Sequence, residues 1–284
     1  MTVLVTGAAG VLGRALVPLL ETETDADLRL TDVLDLDTSH EFVKADLADS
    51  EATADLCDGV DEVLHIAAIH PWKKYTPRQY IDCNITGTHN ILQAAAGAGV
   101  RRVIYTSSIA AMGYGADSPE QLPFDESKPC RPTEGLYGIT KHVGEQFCEM
   151  FRATHDLPYV ALRPGTFIPM AEQDPAFGLG LLSVRVHASD VAMAHLLALK
   201  SDLANGAIIV TAGVPFSSSD GPDLLTDAAS VILRCFPDAA ALHEREIELP
   251  RTIDKCYNVA KARRLLGYEP EWTFEKWLAM TLSE

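Results

Sequence analysis

Short apolar runs rich in β-branched residues recur along the first two-thirds of the chain, most of them followed by a stretch with helical periodicity. Val3–Thr6, Leu28–Thr31, Phe42–Lys44, Glu62–Ile66, Arg102–Thr106 and Tyr159–Arg163 predict strands. Most are apolar and β-branched, as expected of strands covered by helices on both faces. Val11–Glu21, Pro77–Ala98 and Leu136–His155 predict long helices. In the second, Tyr80, Ile81, Asn84, Ile85, Thr88, Ile91, Leu92 and Ala95 keep a period near 3.6. Alternating strands and helices predict an α/β fold with a parallel sheet.

The pattern changes after Pro164-Gly165. Pro169 to Val186 reads as loop, with Pro169, Pro175, Gly178 and Gly180 as breakers. Ala188–Lys200 predicts a helix, Ala207–Thr211 a strand of the main sheet, and Leu224–Phe236, Val259–Leu266 and Phe274–Leu282 further helices. The expected division is 1–165 as the sheet domain and 166–284 as a small, mostly helical substrate cap, with about 188–212 returning to the main fold.

A net charge of −17 argues against nucleic acid or an anionic membrane as partner. No stretch reaches the roughly 20 apolar residues that span a bilayer. The chain starts on a strand without a basic leader, which predicts no signal peptide. The six cysteines are scattered without metal-ligand spacing and read as reduced thiols, so the expectation is a cytoplasmic protein with no metal site.

Thr6-Gly7-Ala8-Ala9-Gly10-Val11-Leu12-Gly13 runs from the first strand into the first helix. Gly7 permits a tight turn, Gly10 lets backbone approach a pyrophosphate, and Gly13 allows close helix–strand packing. The helix start supplies N–H groups and a positive dipole end, so Gly7, Ala9, Gly10, Val11, Leu12 and Gly13 form a candidate dinucleotide cradle. Asp32, ending the second strand, would accept from the adenosine ribose and repel a 2′-phosphate, which selects NAD over NADP. Asp46-Leu47 is placed to meet the adenine.

Tyr137 and Lys141 stand one helical turn apart. An ammonium beside a phenol favours the phenolate, which suits Tyr137 to acid/base work. Glu145, one turn further, reads as a surface partner for Lys141. Ile104-Tyr105-Thr106-Ser107-Ser108-Ile109 reaches the carboxyl end of the sheet, where ligands bind in such folds.

With these motifs in order, together with His65-Ile66-Ala67-Ala68, Asn84 and Arg163-Pro164-Gly165, the chain resembles the extended short-chain dehydrogenases/reductases, the NAD-dependent epimerase/dehydratase family. The resemblance implies a Rossmann-type doubly wound sheet and NAD as cofactor. It implies Tyr137 as acid/base, Lys141 lowering the phenol pKa and holding the nicotinamide ribose, and Ser108, rather than Ser107, bonding the reacting oxygen. Ala67 and Ala68 would line the cofactor groove, with Asn84 beside them or bridging backbone. Pro164, Gly165 and Thr166 would sit near the nicotinamide. In Ala110-Ala111-Met112-Gly113-Tyr114, Met112 replaces the family's usual Tyr. Relatives pair two long helices per subunit, which implies a homodimer through a four-helix interface.

The expected substrate is a small molecule, a sugar or sugar derivative. Thr166–Val186 is too short for a nucleotide clamp. Length and Gly135–Lys141 are similar to uronate dehydrogenase, yet Met170–Val184 holds no Lys or Arg, and Ile109-Ala110 stands where that enzyme carries Asn-His. His70, Trp72, Ser108, Ile109 and Arg185 are the candidate substrate contacts, with His187 a cap or packing residue. The competing readings are a nucleotide-sugar 4-epimerase holding NAD tightly, and a non-catalytic dinucleotide sensor.

Overall fold

In the computed structural model, residues 1–113, 121–133 and 135–283 are described. Among them the order is β1 Thr2–Thr6, α1 Val11–Glu23, β2 Asp27–Asp32, β3 Glu41–Lys44, α2 Ser50–Thr53, β4 Glu62–His65, α3 Pro77–Tyr80, a π-helical stretch Ile81–Thr86, α4 Gly87–Ala98, β5 Arg102–Thr106, a 3₁₀ turn Ile109–Met112, α5 Leu136–His155, β6 Tyr159–Pro164, α6 Pro175–Gly180, α7 Ala188–Lys200, β7 Ala207–Val210, α8 Gly221–Thr226, α9 Ala228–Cys235, a 3₁₀ stretch Pro237–Arg245, α10 Ala260–Leu266 and α11 Phe274–Ser283.

Among the described residues seven strands form one parallel sheet in the order β3-β2-β1-β4-β5-β6-β7. β1 pairs with β2 on one side and β4 on the other, so the chain reverses its winding at β1, the place where such sheets open a ligand crevice at their carboxyl ends. β4 and β5 are buried along their whole length. Leu4, Val63, Val103, Ile91, Leu92, Ala95, Cys148 and Phe151 share one continuous core. Burying Ile91 or Leu92 withdraws about 1.5–3 kcal/mol worth of apolar side chain from water.

The chain splits into two compact units. One comprises Met1–Gly113, Cys130–Arg163 and Ala192–Ile208. The remaining described residues cluster as the second, where Gly178 lies flush against the buried Trp277 ring and buried Asp190 accepts the N–H groups of Glu271 and Trp272 at 2.8 and 3.0 Å. No described helix is long and apolar enough to cross a membrane.

Three predicted elements differ. Pro77–Ala98 is helical throughout but passes through the π stretch, which slides Ile81 out to 41% exposure while Tyr80 and Asn84 stay buried. Leu224–Phe236 is two helices, because the Asp227 carboxylate caps α9 through Ser230 N–H. The loop 169–186 contains α6, capped by Asp174 with Pro175 at its first position.

Candidate functional site

The turn from β1 to α1 can be made only by glycine at its first position. Gly7 has φ +71°, and a Cβ there would lie 2.7 Å from the Ala67 Cα. Exposed Gly10 caps α1 without any side-chain acceptor, and no acid stands in the first helical turn. The N–H groups of that turn, which have no partner within the helix, are left for an anion. A pyrophosphate fits this cradle. Val11 is half-buried; Leu12 and Gly13 are buried, so they can offer only backbone.

Asp32 is oriented from both sides. Its Oδ2 accepts from Ala9 N–H at 2.9 Å and its Oδ1 from Leu34 N–H at 3.0 Å. Beside it Val33 and Leu34 are 54% and 60% exposed, an apolar shelf for a flat base. Asp46 is exposed and turns its Oδ1 to Ala48 N–H, whereas Leu47 is buried and its carbonyl takes Asn90 Nδ2 at 2.9 Å. Ala67 gives its N–H to Thr6 Oγ1, and Ala68 is exposed. Asn84 spends its amide on protein: Oδ1 accepts Ile69 N–H at 2.9 Å, and Nδ2 donates to Ile69 O and Thr140 Oγ1.

The hydroxyl, phenol and ammonium converge at the carboxyl end of β5. Lys141 is buried and its Nζ donates to Thr106 O at 2.6 Å, 5.1 Å from the Tyr105 ring centre and 6.0 Å from that of Tyr137. Burial pulls the Lys141 pKa down to about 8, against the opposing pull of Cys83, Glu145 and Cys148. Tyr137 is half-buried on the first turn of α5, with the His70 ring edge-on at 4.8 Å. Burial, then the Lys141 charge, lowers the His70 pKa to about 4, so this imidazole is neutral at pH 7. Gly138 brings this turn against the segment after Ser108, since a Cβ would sit 2.6 Å from Ala110 O.

The two serines are distinguished by their partners. Ser107 Oγ donates to Glu145 Oε1 at 2.5 Å, whereas Ser108 Oγ accepts from Ala110 N–H at 3.1 Å and keeps its own proton to donate. Glu145 is therefore no surface partner of Lys141. It is buried and forms a two-bond pair with Arg163, Nε to Oε1 at 2.8 Å and Nη2 to Oε2 at 2.7 Å. Arg163 Nη2 also reaches Cys130 Sγ at 3.1 Å. Cys130, His142 and Glu145 lie within ligand distance of one another, but this guanidinium already neutralises the carboxylate. The role of Glu145 and Arg163 in fixing Ser107 was missed in the sequence; only the helical spacing that puts Glu145 on the Lys141 face hinted at it.

Of the other candidates in this unit, Trp72 is 46% exposed and Ile109 only 2%. In the second unit, Pro164 and Gly165 are buried, Gly165 N–H bonds Val210 O at 2.9 Å, and Thr166 N–H bonds Val184 O at 2.7 Å. Arg185 is half-buried, donates to Ile168 O at 3.0 Å and lies 5.8 Å from the Phe177 ring centre. His187 accepts Ser189 N–H at the start of α7, at 3.3 Å. Tyr114 lies outside the described residues.

Residues 3–175 match the model of the NAD dependent epimerase/dehydratase family. A uronate dehydrogenase of Pseudomonas syringae pv. tomato is 32% identical over 170 residues, 58% of this chain and 59% of the relative. A UDP-glucose 4-epimerase of Mycolicibacterium smegmatis is 32% identical over 197 residues, 65% of this chain and 61% of the relative. The chain thus spans about three-fifths of the length of these relatives. Among solved structures, a short-chain dehydrogenase/reductase superfamily protein of Agrobacterium tumefaciens with bound NAD superposes with TM-score 0.74 at 26% identity, covering 100% of this chain and 96% of that one.

Proposed function

The chain belongs to the NAD-dependent epimerase/dehydratase family, and from that premise we propose that it is an NAD-dependent oxidoreductase acting at a carbinol carbon of a small sugar or sugar derivative. NAD, the family's cofactor, supplies the hydride acceptor when bound. Binding it falls to the uncapped start of α1 for the pyrophosphate and to Asp32 for the adenosine ribose. Ser108 donates to the reacting oxygen. Tyr137 removes the hydroxyl proton, a contribution of about 10²–10⁴ in rate. Lys141, still a cation at pH 7, favours the phenolate.

The observation that carries this reading is the buried Lys141 ammonium 6.0 Å from the Tyr137 ring, on a helix pressed by Gly138 against the Ser108 segment. A binding scaffold has no need of it. The test is incubation of the purified protein with NAD and a panel of aldoses, uronates and nucleotide sugars. Reduced nicotinamide formed in step with product supports the dehydrogenase. Retained NAD, an isomeric sugar and no net reduction would shift the reading to an epimerase; no turnover of any compound would leave a dinucleotide sensor.

A further inference from the structure

One buried histidine has no part in the chemistry above. His65 ends β4 and is 1% exposed. Both ring nitrogens are engaged, Nδ1 with Thr6 Oγ1 at 2.8 Å and Nε2 with Thr88 Oγ1 at 3.0 Å. Thr88 has a single hydroxyl proton, and it goes to Asn84 O at 2.7 Å, a carbonyl that can only accept. Thr88 Oγ1 therefore accepts from His65, so Nε2 carries the hydrogen. At the other side Thr6 Oγ1 accepts from Ala67 N–H at 3.1 Å and has its own proton for Nδ1. The imidazole is neutral, with its hydrogen on Nε2. Burial, helped by the charge of Lys141, lowers its pKa to about 3.

These bonds run in one direction: Ala67 N–H to Thr6, Thr6 to His65, His65 to Thr88, Thr88 to Asn84. From Asn84 the side chain grips Ile69 N–H and O and bonds Thr140, and Thr140 Oγ1 donates to Tyr137 O at 2.8 Å. Thr6, the first side chain in the series, ends the strand that enters the glycine turn. The far end of the series is the helical turn bearing Tyr137. Resting on the function proposed above, we propose that His65 is a positioning residue for the reaction centre, a neutral imidazole post that ties the dinucleotide-binding strand to the π stretch carrying Asn84 and thereby holds Tyr137 in register. An aliphatic side chain of equal volume would fill the space and leave Thr6, Thr88 and the Asn84 backbone without this tie.

The experiment has two arms. In the wild type, long-range ¹H–¹⁵N spectra of the imidazoles, with His65 identified by its absence from H65Q, should show Nε2 protonated and Nδ1 bare from about pH 5 to pH 9. A hydrogen on Nδ1, or a charged ring in that range, would overturn the proposal. In the second arm, T88V and T88S are compared at a temperature where circular dichroism shows both folded. T88V should lose about tenfold in kcat, the scale of one hydrogen bond, with NAD affinity within about twofold. Its Tyr137 phenol, titrated by ring ¹³C NMR, should titrate at a different pH from the wild type, and T88S should restore both. A T88V protein that only melts earlier, with wild-type kcat and Tyr137 titration, would make His65 a packing residue and end the proposal. If the wild type turns over no sugar with NAD, the proposed function fails, while the tautomer and the Tyr137 titration still decide this inference.

Discussion

Replacing Lys141 by Met should abolish turnover and yet leave the protein at least as stable at neutral pH. The side chain is buried, and its pKa falls from 10.5 to about 8. The folded chain thus binds this proton less tightly than the unfolded chain. The resulting penalty on folding is complete below about pH 8, shrinks as pH rises and is gone above about pH 10.5. At about 1.4 kcal/mol per pH unit the drop amounts to about 3 kcal/mol. Against this, Met leaves the Thr106 carbonyl without its partner, a loss of about 1–3 kcal/mol. The balance at pH 7 is about 0–2 kcal/mol in favour of the variant. The lost bond does not depend on pH, whereas the penalty does. Urea unfolding of both proteins between pH 7 and pH 10 separates them: the wild type should gain stability above pH 8 relative to Lys141→Met. Parallel stability curves, or a variant more than about 2 kcal/mol weaker at pH 7, would refute a buried, cationic Lys141.

Gly138→Ala should cost about 1–3 kcal/mol and lower kcat, because the new methyl meets Ala110 O and must push the Tyr137 turn from the Ser108 segment; unchanged melting and kcat would show that the approach is not tight. Asp32→Ala should bring the NAD and NADP affinities, measured by calorimetry, closer together, and an unaltered ratio would remove Asp32 from the ribose site. Glu145→Gln should destabilise by about 3–5 kcal/mol in denaturant melts, since it removes the carboxylate charge that neutralises the buried Arg163 guanidinium; a loss below 1 kcal/mol would mean the charge is solvated.

The sheet was legible because its strands are covered on both faces: Arg102–Thr106 is buried at every position, and Val103, Ile104 and Tyr105 carry the apolar run that such cover requires. Helix α5 was legible because a polar face and a buried one alternate at the helical period. What escaped depends on side chains meeting across the fold. The π stretch adds a residue to a turn without an obvious break in the helical spacing of the apolar positions, so nothing along 77–98 marks it. The break at Asp227 is a single capping bond inside an otherwise helical run. Glu145 looked solvated because its partner, Arg163, is supplied by the next strand. In the candidate site, the glycine turn, Asp32 and the Tyr137–Lys141 spacing are local and could be read directly. The choice of Ser108 over Ser107 rested on resemblance; the Ser107–Glu145 bond, which occupies the other serine, is a long-range contact that the local sequence does not show.

The most direct measurement is single-turnover hydride transfer by Tyr137→Phe beside the wild type, on whichever sugar the panel identifies, with NAD affinity measured on the same samples. The rate constant should fall by about 10²–10⁴ while the NAD Kd stays within about twofold. A phenylalanine variant that transfers hydride at the wild-type rate would contradict the acid/base role of Tyr137.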